Sequence, residues 1–327
     1  MKKPRLLVVG SFVMDLIVST PRFPQSGETV LGTGYRTAPG GKGANQAVQA
    51  ARLGAEVTMV GKVGQDAFGD ALIESARAAG VDVRHVARSQ ALPSAVGNVQ
   101  LETADGQSAN RIIVVPGANM DITPEEVSFL QEEISRYDML LLQQEIPMEI
   151  NQLAASYAHA AGVPVMLNCA PYAPMPASLL RQVTFLSPNE HEAQSLTGIE
   201  VRDEASIRAA LEAIRGLGVS HGMITLGSRG VAYLAEEGVL YSPALGGLKV
   251  QDTTAAGDSF IAAFCTAWAM GMPPRDALAF ANHTAAITVC RMGAQPSLPT
   301  LREVLALLRE QGAGQLLSHI PDQTIKE

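Results

Sequence analysis

The sequence predicts an α/β protein with three layers, in which a mostly parallel central sheet lies between helices and a small second sheet stands beside it. Beyond residue 124, short apolar strands alternate with helices across short loops, as in a parallel sheet covered on both faces. Two earlier stretches, residues 11–39 and 94–115, contain extended runs without helical periodicity. These stretches predict strands that stand off the main sheet.

The first half of the chain begins with an apolar strand and then mixes helices with extended segments. The run 6–9 is wholly apolar and ends at Gly10, which is typical of a strand buried on both faces. In chain order, the predicted elements are a strand at 6–9, a helix opened by the turn at 40–46 and stopped at 54, a strand at 57–60, a helix reaching 79 from about 68, and a hairpin of strands 96–101 and 111–115 around Asp105 and Gly106.

The second half is more regular, because predicted strands and helices follow one another with short connections. In chain order, the predicted elements are helix 125–136, strand 139–143, helix 149–161, strand 163–167, helical turns 177–182, strand 183–186, helices 189–196 and 205–217, strand 223–226, an edge hairpin of 231–235 and 239–242, a helix opened by 251–260, and helices 277–290 and 301–310.

This pattern predicts one α/β domain with no internal repeats and no low-complexity linker. The domain comprises residues 1–10, 40–93 and 116–311, the second sheet comprises residues 11–39 and 94–115, and a flexible tail comprises residues 312–327.

Composition excludes some classes of protein. The net charge is −8 and no dense basic cluster occurs, which argues against nucleic acid as the main partner. Apolar stretches are too short and too polar to span a bilayer. Cys169, Cys265 and Cys290 are far apart in apolar surroundings, so we interpret them as reduced thiols and expect a cytoplasmic protein.

The stretch 251–260 has only small residues and hydroxyls between two carboxylates, directly before an apolar run. It predicts a tight turn that opens into a buried helix. The backbone N–H groups of Ala255, Ala256 and Gly257 would then be uncovered at the helix N-terminus, where an anion is attracted. Asp258 lies beside that position and is suited to remove a proton from an attacking hydroxyl. The alternative is a capped helix in which Asp258 only complements the helix dipole.

A glycine-rich loop at residues 40–43 resembles a phosphate-binding loop but matches neither common pattern. Residue 36 is Arg where a Walker motif has Gly, and residue 43 is Gly where Ser or Thr would hold magnesium. The dinucleotide fingerprint also fails, because no second or third glycine follows Gly10 at the required spacing. The exposed backbone of the loop, followed by Lys42 and Asn45, instead suits a small polar ligand. The alternative is a glycine-rich turn that only connects a strand to a helix.

Other polar residues follow the predicted strands. Asp15 lies among apolar residues after the first strand, where a buried lone carboxylate is costly unless it has a partner. It is either an acceptor for a sugar hydroxyl or a residue of a turn. Glu145 and the segments 189–192 and 225–230 come after three later strands. Because parallel strands end at one edge of the sheet, these groups predict a single polar site there. No pair of histidines has zinc-ligand spacing.

Taken together, these motifs resemble the ribokinase-like family of carbohydrate kinases, and the likeness runs from residue 10 to residue 297. The signatures are Gly-Gly-Lys-Gly-Ala-Asn-Gln-Ala at 40–47 and Asp-Thr-Thr-Ala-Ala-Gly-Asp at 252–258. The resemblance implies the family's three-layer αβα fold and ATP-dependent phosphorylation of the 5-hydroxyl of a pentose, with D-ribose as the default. It also implies that residues 11–39 and 94–115 form a β-lid that makes a homodimer contact.

The resemblance further implies roles for residues that match the family's motifs, with ATP, Mg²⁺ and K⁺ as cofactors. The catalytic group is the base Asp258 with the anion-hole amides of Ala255, Ala256 and Gly257. The sugar-binding group is Asp15, Gly41, Lys42, Asn45, Glu145 and Asp258. The nucleotide-binding group is Asn189, Thr225, Gly227, Gly230, Gly257 and Asn282. The potassium group is the Asp252 side chain, the carbonyls of Thr254, Thr288, Arg291 and Gly293, and Ser297, while Glu192 is associated with magnesium through water.

One position departs from the family's pattern. The family's ribokinases typically carry Asn two residues before the first sugar-binding Asp, and Val13 occupies that position here. Valine cannot hydrogen-bond a sugar hydroxyl, so 2-deoxyribose is an alternative substrate. A kinase for another sugar or a nucleoside, and a sugar sensor without catalysis, are further alternatives. The intact Asp252, Gly257 and Asp258 argue against the sensor.

Overall fold

A computed structural model of the chain describes residues 3–104 and 107–320. Its strands are β1 (Arg5–Val9), β2 (Val13–Thr20), β3 (Gly34–Gly40), β4 (Glu56–Gly64), β5 (Asp82–Ser89), β6 (Val96–Ala104), β7 (Gln107–Val115), β8 (Met139–Leu142), β9 (Val165–Asn168), β10 (Phe185–Ser187), β11 (His221–Thr225), β12 (Val231–Ala235) and β13 (Gly238–Ser242). The central sheet has nine strands in the order β13-β12-β11-β10-β9-β8-β1-β4-β5. Two neighbouring pairs are antiparallel, β11 with β12 and β12 with β13, and all other neighbouring strands in this sheet are parallel.

Helices cover both faces of this sheet. They are α1 (Lys42–Arg52), α2 (Ala67–Ala78), α3 (Pro124–Val127), α4 (Leu130–Glu133), α5 (Met148–Ala160), α6 (Ala177–Leu180), α7 (Glu190–Thr197), α8 (Glu204–Gly216), α9 (Ala256–Ala269), α10 (Pro274–Val289) and α11 (Leu301–Glu310). Successive side chains of β1 point to opposite faces. Leu6 and Val8 pack with residues of α1, α9 and α10, whereas Leu7 and Val9 pack with residues of α5 and α8. The predicted three-layer αβα fold is therefore confirmed.

A second sheet stands apart from the first, in the order β3-β2-β6-β7. Its outer pairs are antiparallel and its central pair, β2 with β6, is parallel. The two extended stretches of the sequence thus do pair with each other. The turn predicted at Asp105 and Gly106 lies outside the described residues.

One predicted helix was wrong, and one strand of the central sheet was missed. The continuous helix expected over 125–136 is instead α3, α4 and a 3₁₀ turn at Ile134–Arg136. Bonds of the i→i+3 type tighten the chain between them, including Ser128 N–H to the Glu125 carbonyl at 3.3 Å. The buried residues Val127, Leu130 and Ile134 keep helical spacing, which is why the sequence favoured one helix. The edge strand β5 was not predicted at all.

The end of the chain is more ordered than expected as far as the structure describes it. Residues Gly314–His319 form a 3₁₀ helix, and Leu316 and Ile320 are buried in the same core as α10 and α11. Residues 321–327 of the expected flexible tail lie outside the described residues.

Cys169 and Cys265 are buried and Cys290 is partly buried, all as free thiols. None of the helices among the described residues is long and apolar enough to cross a membrane.

Candidate active site

The turn before α9 exposes backbone N–H groups at the helix N-terminus. Ala255 takes up a left-handed conformation with φ of 60°, the only positive φ at a non-glycine residue in the described part of the chain. The N–H groups of Ala255 and Gly257 have no hydrogen-bond acceptor among the described residues, whereas Ala256 N–H donates to the Thr253 carbonyl at 3.2 Å. The first two amides therefore suit an anion directly, and that of Ala256 would first have to release its bond.

Asp258 lies in the first turn of α9 and is 5% exposed. Each carboxylate oxygen accepts one hydrogen bond from α1: Asn45 Nδ2 donates to Oδ2 at 2.8 Å, and Gln46 Nε2 donates to Oδ1 at 3.1 Å. Both donors come from consecutive residues because α1 packs directly on α9. The carboxylate is thus held in one orientation at the start of the helix.

The start of α1 is shaped by Gly41, whose φ is 90°. A Cβ there would lie 2.7 Å from the backbone nitrogen of Val13, so only glycine fits this close approach to β2. The next residue, Lys42, donates its N–H to Glu145 Oε2 at 2.9 Å, and Ser11 Oγ donates to the same oxygen at 2.5 Å. These bonds tie the glycine loop to the chain that follows β8.

The Lys42 ammonium group lies among carboxylates. Burial opposes its charge, but the carboxylates of Asp258, Glu145 and Glu192 outweigh burial and raise the pKa of Lys42 above its ordinary value. Lysine is therefore a fixed positive charge at neutral pH. It offsets the mutual repulsion of three acidic groups around the site.

A cavity of about 400 Å³, which we call the sugar-side cavity, lies between the second sheet and α9. Asp15 and Glu145 offer carboxylates to it, and Asn45 Oδ1 is buried beside it without a hydrogen-bond partner among the described residues. Burial and the neighbouring Glu145 raise the pKa of Asp15 to about 6. Above that pH these groups can accept hydrogen bonds from several hydroxyls of a small polyol. Val13 also lines this cavity and adds an apolar surface.

A second cavity of about 190 Å³, the phosphate-side cavity, lies on the other side of Asp258. Asn189 and Thr225 line it from the ends of β10 and β11, and Gly257 lines it from α9. Glu192 also lines this cavity, and its Oε2 accepts a hydrogen bond from Asn189 N–H at 2.8 Å. Burial raises the pKa of Glu192. Three residues line both cavities: Lys42, Ala255 and Asp258. The two cavities therefore meet at the Asp258 carboxylate.

Three predicted nucleotide-binding residues are not among those lining the phosphate-side cavity in the described part of the chain. Gly227 and Gly230 belong to the turn between β11 and β12. Asn282 lies on α10 and donates to the Ser242 carbonyl at 3.0 Å and to the Pro243 carbonyl at 3.1 Å. The nucleotide-binding role of these three residues stays a prediction. The contacts of Asn282 show that it also holds the end of β13 in place.

Part of the predicted potassium group is assembled around Asp252. Its Oδ1 accepts from Thr254 N–H at 2.9 Å, and its Oδ2 accepts from Gly293 N–H at 2.8 Å. Burial opposes ionisation of Asp252, but these bonds outweigh it and lower its pKa. The Arg291 guanidinium points away to Glu303, at 2.6 Å. The last two members, Thr288 and Ser297, are buried, and their hydroxyls donate to Ser259 Oγ and to the Ala294 carbonyl.

Sequence reasoning missed several polar residues at this site. Gln46 and Ser11 contact Asp258 and Glu145, and Asn168 and Arg36 each line one of the two cavities. Arg36 also lowers the pKa of Asp252 through its charge. A usable signal existed for Gln46: a polar side chain among the alanines of a buried helix face needs a specific partner.

Comparison with known proteins agrees with this geometry. Residues 3–301 match the pfkB family carbohydrate kinase. The chain is 43% identical over 303 residues to ribokinase from Bacillus subtilis, covering 93% of this chain and 99% of that protein. It is 38% identical over 305 residues to ribokinase from Haemophilus influenzae, with 93% and 98% covered. The structure of Arabidopsis thaliana ribokinase complexed with ribose and ATP superimposes with a TM-score of 0.87 at 35% identity, covering 94% of this chain and 99% of that one.

The chain therefore belongs to the pfkB family of carbohydrate kinases. It is a phosphotransferase that acts on a sugar hydroxyl.

Proposed function

We propose that this protein is an ATP-dependent ribose kinase that transfers a phosphoryl group to the 5-hydroxyl of D-ribose. The observation that carries the proposal is the position of Asp258, where a polyol-sized cavity meets a cavity at a helix N-terminus. The relatives named ribokinase, and the solved relative complexed with ribose and ATP, support the choice of ribose and of ATP.

In the proposed reaction, Asp15, Asn45 and Glu145 hold the sugar hydroxyls, and Asp258 accepts the proton of the attacking hydroxyl. Phosphoryl transfer depends mainly on positioning and on neutralising charge at the equatorial oxygens. The free N–H groups of Ala255 and Gly257 face that charge from the helix N-terminus. Lys42 lines both cavities and adds a positive charge where they meet.

The residues present fit Mg²⁺ held mainly by the nucleotide. Magnesium sites in kinases usually combine one or two carboxylates with phosphates and waters, and Glu192 offers one carboxylate to the phosphate-side cavity. In the described part of the chain, no group of three or more His, Cys, Asp or Glu residues could hold a metal by itself. When bound, the ion would neutralise charge on the transferring phosphoryl group.

The residues around Asp252 also fit a monovalent cation. The Asp252 carboxylate has a lowered pKa and is held by the backbone N–H groups of Thr254 and Gly293. The proposal is that carbonyl oxygens of the same backbone segments replace the hydration shell of K⁺. We expect that exchanging K⁺ for Na⁺ lowers kcat/KM, measured by coupled assay at constant ionic strength. We also expect Asp252→Asn to remove the difference between the two salts. Equal activity of the wild-type enzyme in both salts contradicts this site.

The substrate is tested by a coupled ATP assay over a panel of pentoses, hexoses and nucleosides. We expect D-ribose to give the highest kcat/KM. Sugar phosphate from none of the panel, together with measurable sugar binding, would instead favour a sensor without catalysis.

A second candidate substrate is 2-deoxyribose, and Val13 is the observation that favours it. Its side chain is 5% exposed and lines the sugar-side cavity without any hydrogen-bonding atom. A site that lacks a polar partner for a hydroxyl does not reject the deoxy analogue strongly. We expect wild-type kcat/KM for ribose and 2-deoxyribose to differ by less than about 10³-fold, below the rejection of about 10⁴- to 10⁵-fold by a site that hydrogen-bonds the missing hydroxyl. Val13→Asn is expected to widen the difference, and a larger wild-type ratio for ribose rules out the deoxyribose activity.

The second sheet is proposed to be the β-lid and the contact of a homodimer. Ile112 and Val114 of β7 line the sugar-side cavity, whereas Ile113 and Val115 alternate with them and are 64% and 49% exposed. A lid over the sugar excludes water that would compete as nucleophile. Its outer apolar face fits a second copy of the chain. A monomer in sedimentation velocity at micromolar concentration would contradict the dimer.

The cytoplasmic location also stays a prediction.

A further inference from the structure

Gln46 connects the Asp258 carboxylate to the ends of three strands through buried hydrogen bonds. Its side chain is fully buried, and its Nε2 donates to Asp258 Oδ1 at 3.1 Å and to Asn168 Oδ1 at 3.4 Å. Its Oε1 accepts from Gln143 Nε2 at 2.7 Å. Asn168 Nδ2 in turn donates to the Ser187 carbonyl at 3.0 Å. Gln143, Asn168 and Ser187 follow or end β8, β9 and β10, so the chain of bonds crosses the sheet edge.

These contacts allow only one orientation of the Gln46 amide. The carboxylate of Asp258 can only accept, so the NH₂ group must face it and the carbonyl must face Gln143. Both N–H bonds of Gln46 are then used, one on Asp258 and one on Asn168. The Gln46 amide is fully paired, so rotating it would leave its own buried polar atoms unpaired, although Oε1 of the neighbouring Gln143 has no partner among the described residues. The network therefore fixes the carboxylate relative to the central sheet.

Asn45 and Gln46 hold Asp258 from neighbouring positions but differ in their surroundings. Asn45 lines the sugar-side cavity, whereas Gln46 lines neither cavity among the described residues. A substitution at Gln46 therefore changes how the Asp258 carboxylate is held, without removing a group that can contact the sugar. This difference separates positioning of the base from binding of the substrate.

We propose that Gln46 is a positioning residue for the reaction: its amide N–H holds Asp258 Oδ1, so that the carboxylate faces the attacking hydroxyl. The proposal rests on the function proposed above, in which Asp258 is the base. It predicts an effect on kcat with little effect on sugar binding. Misplacement of a reacting group by about 1 Å can cost about 10²-fold in rate.

The test compares two buried glutamines of α1. Gln46→Met removes the donor to Asp258 and keeps the length and volume of the side chain. The control is Gln49→Met, one turn further along the same helix and equally buried; Gln49 contacts Ser259 and the Pro299 carbonyl instead. We expect Gln46→Met to lower kcat about 10²-fold, with the ribose Kd from calorimetry changed less than about 3-fold. Gln49→Met is expected to lower Tm similarly and to keep kcat within about 2-fold.

A second variant separates the donor from the packing. Gln46→Glu has the same shape but presents an acceptor to Asp258, so we expect a larger loss of kcat than with Gln46→Met. Wild-type enzyme without activity on ribose overturns the proposed function. Active wild type together with near-normal kcat in Gln46→Met overturns the role of Gln46 alone, as do equal losses of kcat in Gln46→Met and Gln49→Met.

Discussion

Replacing Asp258 by asparagine is expected to lower kcat by about 10³-fold or more while ribose still binds. The amide cannot take the proton of the attacking hydroxyl. It also places an NH₂ group against one of the two donors, Asn45 Nδ2 or Gln46 Nε2, that now point at the carboxylate. The sugar contacts proposed for Asp15 and Glu145 are unchanged in this variant, so ribose binding should change little. Single-turnover kinetics and calorimetric titration with ribose measure the two effects separately.

The matched control for this prediction is Asp276→Asn. Asp276 lies in the first turn of α10, as Asp258 lies in the first turn of α9, but it pairs with His319 and lines neither cavity. If Asp258 only complemented a helix dipole, both variants would lose a few tenths of a kcal/mol to about 1 kcal/mol of stability and little activity. We expect Asp276→Asn to keep kcat within about 2-fold. Retention of a tenth or more of kcat in Asp258→Asn would remove Asp258 from the role of base.

Elements of the fold were predictable where burial determines the pattern. Strand β1 is buried on both faces, so its apolar run identified it directly. Strand β5 lies at the edge of the sheet and carries Asp82, Arg84 and Arg88, which hide any apolar pattern. The break of the predicted helix at 125–136 was hidden for a different reason. Apolar spacing reports which face is buried, but it does not report whether the turns between buried residues are α or 3₁₀.

The candidate site was predictable where its residues are neighbours in the sequence. The turn at 251–260 contains both the helix N-terminus and Asp258, so one local sequence pattern predicted both. Gln46 and Asp258 are 212 positions apart, and Ser11 and Glu145 are 134 apart. Hydrogen bonds over such separations depend on how α1 packs on α9 and how β1 pairs with β8. No local pattern carries that information.

Replacing Lys42 by methionine is expected to lower kcat/KM by about 10²- to 10³-fold. It is also expected to destabilise the fold, because it removes the positive charge that faces three carboxylates. The side chain balances the charges of Asp258, Glu145 and Glu192. Without it, the pKa of Glu192, already raised by burial, rises further. A carboxyl whose pKa is raised in the folded state favours folding at low pH and loses that contribution as the pH increases. The difference in Tm between wild type and Lys42→Met should therefore widen as the pH rises above 4.5, the ordinary pKa of Glu192.

The control for Lys42→Met is Lys62→Met, because Lys62 also lies among carboxylates and is even more buried than Lys42. Its Nζ lies 2.9 Å from Glu126 Oε1 and 3.2 Å from Asp121 Oδ2, and it lines neither cavity. Loss of either lysine leaves two or more carboxylates without their cation, so both variants should unfold at lower temperature. Only Lys42→Met removes a charge from the place where the two cavities meet. Similar losses of kcat/KM in the two variants would show that Lys42 acts through stability, whereas a loss confined to Lys42→Met assigns its charge to the transfer step.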